Sequence, residues 1–167
     1  MKRFLGFILI AFVLFAAGLA LAVENYDVTT GQDYGVPANT FGPYTVEYYL
    51  DASQHNGGDG FAAGDTLDCI KAPKGSVIYG VHYEVVSGED LATCTIDIGD
   101  ATNATGFLAN QVSNSTATTN AFALTYGGTA GKQLTTAAGK VRITFDHGTD
   151  KLKAYVRAVI IPFKSRP

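Results

Sequence analysis

Ser76-Val77-Ile78-Tyr79-Gly80-Val81-His82-Tyr83-Glu84-Val85-Val86 is the stretch whose reading decides the fold. Its apolar residues recur at every second position. Successive side chains of an extended chain point to opposite faces, so period two is the signature of a strand. Val77, Tyr79, Val81, Tyr83 and Val85 are expected on one face. Just upstream lies Pro73-Lys74-Gly75, where Pro presets φ and Gly is free to take positive φ. That turn separates the strand from a shorter one at 66–72. Downstream, Ser87-Gly88-Glu89-Asp90 turns the chain back into a third strand at 92–98. Turn signals thus separate three expected strands.

Working outward, residues 44–50 alternate Tyr44, Val46, Tyr48 and Leu50 against Thr45, Glu47 and Tyr49. Residues 107–112 and 121–126 read as further strands. Residues 140–145 set Val141, Ile143 and Phe145 inward against Lys140, Arg142 and Thr144. Residues 151–163 form a long, strongly apolar strand, expected in the middle of a sheet. Stretches at 51–64, 99–106, 114–120 and 127–139, rich in Gly, Asp, Asn or Thr, are expected loops, and 146–150 reads as a hairpin-like turn. Beyond residue 22 no 3.6-residue periodicity lasts more than two turns. About eight short strands at such spacing predict an all-β, antiparallel sandwich of jelly-roll-like form over 44–167. Residues 23–43 read as a linker or irregular arm.

Composition narrows the classes. The chain has 167 residues with 12 Lys or Arg against 15 Asp or Glu, so it suits one domain and lacks the basic face that phosphates demand. A nucleic-acid partner is therefore not expected. Two Cys make neither a zinc knuckle nor a dense disulfide scaffold.

Met1-Lys2-Arg3 is a positive start, and residues 4–23 carry no charge. Ala20-Leu21-Ala22 fits the small-x-small pattern of a signal-peptidase site. One reading is a signal peptide cleaved after Ala22. The other is a retained membrane anchor, because about 20 apolar residues at ~1.5 Å rise span a ~30 Å hydrocarbon core. Either makes 1–22 an N-terminal hydrophobic helix and exports the rest. Export in turn favours a disulfide between Cys69 and Cys94, which would contribute about 3 kcal/mol by loop closure. Two buried free thiols are the alternative.

Sites for chemistry are sparse. No Gly-x-Ser-x-Gly elbow is present, and His55, His82 and His147 have unrelated spacings. Asp146-His147 is the only adjacent acid–His pair, and it falls in the expected turn. Asp97, Asp100 and Asn103 offer hard oxygen atoms near Gly99 and are a candidate calcium site, set against a plain Gly-Asp turn. Tyr44, Tyr48, Tyr49, Tyr79 and Tyr83 suggest either an aromatic sugar-binding strip or ordinary sheet packing. No catalytic residue, cofactor or enzymatic activity is expected.

Residues 63–81 begin Ala63-Gly64-Asp65-Thr66-Leu67 and run through Ala72-Pro73-Lys74-Gly75 into Val77. They are followed by Tyr83-Glu84-Val85-Val86, by Thr95-Ile96-Asp97-Ile98-Gly99-Asp100, and by Gly106-Phe107-Leu108. With Lys153-Ala154-Tyr155-Val156-Arg157-Ala158-Val159-Ile160-Ile161 at the end, this order resembles virion structural proteins of tailed phages. The resemblance spans roughly 44–163. It implies a β-sandwich building block of a phage particle, a decoration or a capsid- or tail-associated domain, that associates with itself and with other virion proteins. The leader departs from that pattern, since such proteins normally assemble in the cytoplasm. It adds a membrane contact through residues 4–23 if retained, and it keeps a second reading open: an exported carbohydrate-binding or adhesion module of a bacterial cell surface. The virion, the periplasm, the cell surface and the medium are the corresponding locations.

Overall fold

The computed structural model describes residues 25–29, 42–114, 120–134 and 139–162. The leader, its Ala20 and Ala22, and residues 163–167 lie outside the described residues.

The described chain is all-β, and no α-helix occurs among the described residues. The strands are β1 (Asn25–Asp27), β2 (Tyr44–Asp51), β3 (Thr66–Ala72), β4 (Ser76–Ser87), β5 (Thr95–Gly99), β6 (Leu108–Val112), β7 (Asn120–Ala123), β8 (Thr125–Tyr126), β9 (Thr129–Ala130), β10 (Lys132–Leu134), β11 (Gly139–Phe145) and β12 (Lys153–Pro162). Sheet A runs in the order β1-β3-β11-β5-β6, with β1 parallel to β3 and every other pair antiparallel. Sheet B runs β10-β4-β12-β2, all antiparallel, with β7 also paired to β4. The hairpin β8–β9 turns at Gly127 and Gly128, both with positive φ, as a tight two-residue hairpin requires.

Every strand expected from the alternation is present. The additions are short. β1 occupies part of the expected linker, where Asn25, Tyr26 and Asp27 pair with Thr66, Leu67 and Asp68. β9 and β10 lie within the expected loop at 127–139, and 121–126 divides into β7 and β8 around Leu124. β12 is central to sheet B, as its apolar length implied.

One core fills the space between the sheets. Leu67, Ile96, Ile98, Val141, Ile143 and Phe145 come from sheet A, and Val46, Leu50, Val81, Tyr83, Val156 and Ile160 from sheet B. Phe61, from the loop after β2, stacks on Phe145 with ring centroids 4.1 Å apart. Tyr83 is fully buried, and its hydroxyl meets the Ser113 hydroxyl at 2.7 Å. That bond offsets the cost of burying a polar atom.

Two bulges correct the expected phases. Along β12, Val159 pairs with Gly80 and Ile160 with Ile78, which leaves Tyr79 as an extra residue. Ile78 therefore points inward and Tyr79 outward, 41% exposed, instead of sharing the face of Val81 and Tyr83. In β3 the same device falls on Cys69, because Val141 pairs with Ile70 and Arg142 with Asp68.

The expected disulfide is also corrected: Cys69 and Cys94 are both free and buried. β3 and β5 lie on opposite sides of β11, so two strand spacings, about 10 Å, separate the thiols laterally. They are offset along the sheet as well. Cys69 is level with Val141 and Arg142, whereas Cys94 lies beyond Ile96, the partner of Phe145. A disulfide needs Cα atoms within about 7 Å. Cys69 Sγ instead donates to the Val141 carbonyl at 3.4 Å, and Cys94 Sγ faces Thr149 Oγ1 at 3.8 Å. Burial pushes both thiols up from the usual cysteine range.

Candidate functional site

The five tyrosines do not form a strip. Tyr44 and Tyr48 pack half-buried against the core, Tyr83 is inside it, and Tyr49 and Tyr79 face outward. Tyr49 has an aromatic neighbour on the outer face: its ring lies 5.0 Å from that of Tyr155.

The histidines sit on separate elements. His55 packs on Phe61 with centroids 4.6 Å apart, and burial lowers its pKa. His82 Nε2 meets Asn120 Oδ1 across the β4–β7 pair, while its Nδ1 is 3.1 Å from Arg157 Nη1. His147 lies in the turn after β11, where its neighbour Asp146 accepts from Thr95 Oγ1 at 2.9 Å. Among the described residues no cluster of three or more His, Cys, Asp or Glu could hold a metal ion.

Asp97, Asp100 and Asn103 are engaged locally. Asp97 Oδ1 accepts from the Asn110 amide at 2.7 Å. Asp100 Oδ1 accepts from the amides of Thr102 and Asn103 at 2.8 and 3.0 Å, an Asx turn. Its Oδ2 faces Lys132 Nζ at 3.1 Å, so this carboxylate is already paired with an ammonium. Burial alone would raise the Asp100 carboxyl, but hydrogen bonds from Thr102 and Tyr126 outweigh it and hold the pKa low. Lys132 Nζ also lies over the Tyr126 ring, 4.2 Å from its centroid. Tyr126 in turn covers Gly106, where an added Cβ would come within 2.2 Å of the ring. The trio thus anchors the β8–β9 hairpin to the loop after β5.

What the fold does assemble is two different outer faces. On sheet A, Arg142 grips Asp68 with two bonds, Nε to Oδ1 at 2.6 Å and Nη2 to Oδ2 at 3.1 Å. Lys140 Nζ adds a contact to Asp68 at 3.3 Å and bonds Asp27 of β1. The Asp68 side chain is only 6% exposed. On sheet B, Arg157 bridges Glu47 of β2 and Glu84 of β4, both well exposed. Its guanidinium lies over the Tyr155 ring, 4.8 Å from the centroid. Beside it Phe122 and Leu124, 54% and 44% exposed, lie over Gly80. An added Cβ there would come within 3.2 Å of both side chains. Sheet A is thus tied by charge, and sheet B presents aromatic and aliphatic surface around one ionic bridge.

Two of these contacts escape sequence reasoning. Asp68 interrupts the apolar run Leu67-Asp68-Cys69-Ile70, and a carboxylate so placed signals a cationic partner, but not which one. Glu89 reads as turn chemistry. In the structure it is 5% exposed, and its Oε2 accepts from the amides of Asp150 and Lys151, both at 2.9 Å. It ties the β4–β5 connection to the β11–β12 connection.

Comparison with models of protein families finds no match, and neither does comparison with curated proteins. Among solved structures, a chain of the capsid of Ralstonia phage GP4 superposes with a TM-score of 0.59 at 14% identity, covering 86% of this chain and 99% of that one. A chain of the cyanophage Pam1 capsid asymmetric unit gives 0.55 at 21% identity, covering 77% and 91%. At such identities the likeness is one of fold. The expected resemblance to phage virion proteins is thus matched at the level of fold: this sandwich has the fold of chains found in phage capsids.

Proposed function

We propose that this chain is a non-enzymatic structural component of a phage particle, a decoration or a capsid- or tail-associated β domain. Residues 1–22 serve as its export or anchor leader, 23–43 as an arm and 44–167 as the sandwich. One observation carries the reading: the matched capsid chains are covered over 99% and 91% of their own length. The likeness extends over nearly the whole of each chain. Sheet B's outer face, with Tyr49, Phe122 and Leu124 exposed, suits contact with protein neighbours, since aromatic residues are enriched in interfaces.

Mass spectrometry of nuclease-resistant, density-banded particles from a producing culture tests this. Recovery at a copy number near that of the shell protein is expected. A peptide beginning at Val23 would indicate passage through the export pathway, and an intact leader a membrane anchor. Absence from particles, with the chain in the medium or periplasm, would overturn the virion reading. The exported glycan-binding or adhesion module would then be the working account, with Tyr49 and Tyr155 as its contact pair.

A further inference from the structure

We propose that β2 is an assembly edge that pairs antiparallel with β2 of a second copy of this chain. The proposal deepens the structural reading above by naming the partner, and it rests on that reading in taking the chain to self-associate.

The two main sheets have four edges. An unpaired strand edge is a template for further pairing, and proteins blunt it with short strands, bulges, charges or cover. Sheet A ends at one side in β1, three residues long and strapped by the Asp27–Lys140 ion pair. It ends at the other in β6, five residues long, with a register shift against β5 and with Asn110 at positive φ. In sheet B the outer side of β4 is covered by two short pieces, β10 over 76–78 and β7 over 81–84. The fourth edge, β2, is neither short nor bulged, and its two carboxylates, Glu47 and Asp51, are engaged by Arg157 and Lys153 of β12. It has eight residues, pairs with β12 in unbroken register, and contains no Pro, Gly or Lys. Among the described residues no strand pairs with its other side.

The sequence of β2 also suits itself. In a two-fold antiparallel pair, residues opposite each other must share a face, so only registers that match odd with odd and even with even positions are allowed. Two of these overlap along nearly the whole strand. Centring on Glu47 sets that carboxylate against its own copy, a destabilising like-charge pair. Centring on Tyr48 avoids this. Glu47 then lies opposite the second copy's Tyr49, Val46 opposite its Leu50 and Thr45 opposite its Asp51. Apolar residues meet on the inner side and no two like charges are opposed. Sheet B would continue through the axis into its counterpart.

This register makes a directional prediction. Thr45 is exposed, so its substitution leaves the core untouched. Thr45→Lys faces the second copy's Asp51 and should tighten the dimer, whereas Thr45→Asp faces the same carboxylate and should weaken it. With two symmetric pairs per dimer, each shift should be about threefold to tenfold in Kd. Sedimentation equilibrium on the full chain in mild detergent reads the constants, and hydrogen exchange reads concentration-dependent protection of 44–51. Opposite shifts, shrinking at high salt, support the edge pairing. A chain monomeric throughout, or a dimer that both variants shift equally or not at all, overturns it. A dimer with opposite shifts in a chain missing from particles keeps the edge pairing and overturns the virion role instead.

Discussion

Arg142 and Arg157 hold matching places in the two sheets, each outward on a central strand, Arg142 paired with one carboxylate and Arg157 bridging two. Their surroundings differ. Arg142 meets a carboxylate only 6% exposed, next to the strapped strand β1. Arg157 meets Glu47 and Glu84, 48% and 40% exposed, next to the open strand β2. Screening by water decides what each bridge is worth, because exposed ion pairs contribute little while breaking a buried one strands a charge. The covered edge goes with buried charge, and the open edge with charge left in solvent, available to a neighbour.

Four measurements break or sharpen that contrast. The largest effect is expected from Arg142→Ala, which leaves Asp68 buried with only Lys140 nearby; denaturant unfolding should show a loss of about 3 kcal/mol. Replacing both partners, Asp68→Leu with Arg142→Leu, should recover much of it. An unchanged midpoint in the single variant would show that the Asp68 site is as wet as that of Glu84.

Glu89→Ala comes next. It removes the acceptor for the Asp150 and Lys151 amides, and the loss should be about 2 kcal/mol. Glu89→Gln, which keeps one oxygen, should lose less.

The third concerns the strap on β1. The Lys140 ammonium, with help from Thr29, holds the Asp27 carboxyl down at about 2 from its usual 3.8. A lowered folded-state pKa means that the carboxylate stabilises the docked arm fully above about pH 4 and loses that effect as pH falls through about 2. Hydrogen exchange in residues 25–29 should rise between pH 4 and pH 2. In Asp27→Asn it should already be high at pH 4 and change little over that window. Protection that is insensitive to both would place the hold of β1 in its backbone pairing with β3.

Arg157→Ala should cost least, about 0.5 kcal/mol. The Glu84 carboxyl, held down chiefly by its hydrogen bond from Arg157, should return toward its ordinary value in an NMR titration.

Much of this was legible beforehand, for a stated reason. Alternation along 44–50, 76–86 and 140–145 places residues inward or outward by covalent geometry alone, which is why Val46, Val81, Val141, Ile143 and Phe145 are in the core. Tyr79 and Cys69 broke the pattern because a bulge depends on what the neighbouring strand offers. The cysteines read as a pair because the leader implied export, yet strand order placed β11 between them. For the tyrosines the alternation already set Tyr48 and Tyr49 on opposite faces of β2, and of the two readings the structure bears out sheet packing.

By itself, then, the sequence determined the class of fold, the positions of the main strands and most of the core, since these follow from local periodicity and turn chemistry. Tertiary structure alone decided which strands are neighbours, and with that the pairing of Arg142 with Asp68, the separation of the thiols, the clamp at Glu89 and the place of β2 at the end of sheet B. Such features depend on contacts between residues far apart in the chain, and no local pattern encodes them.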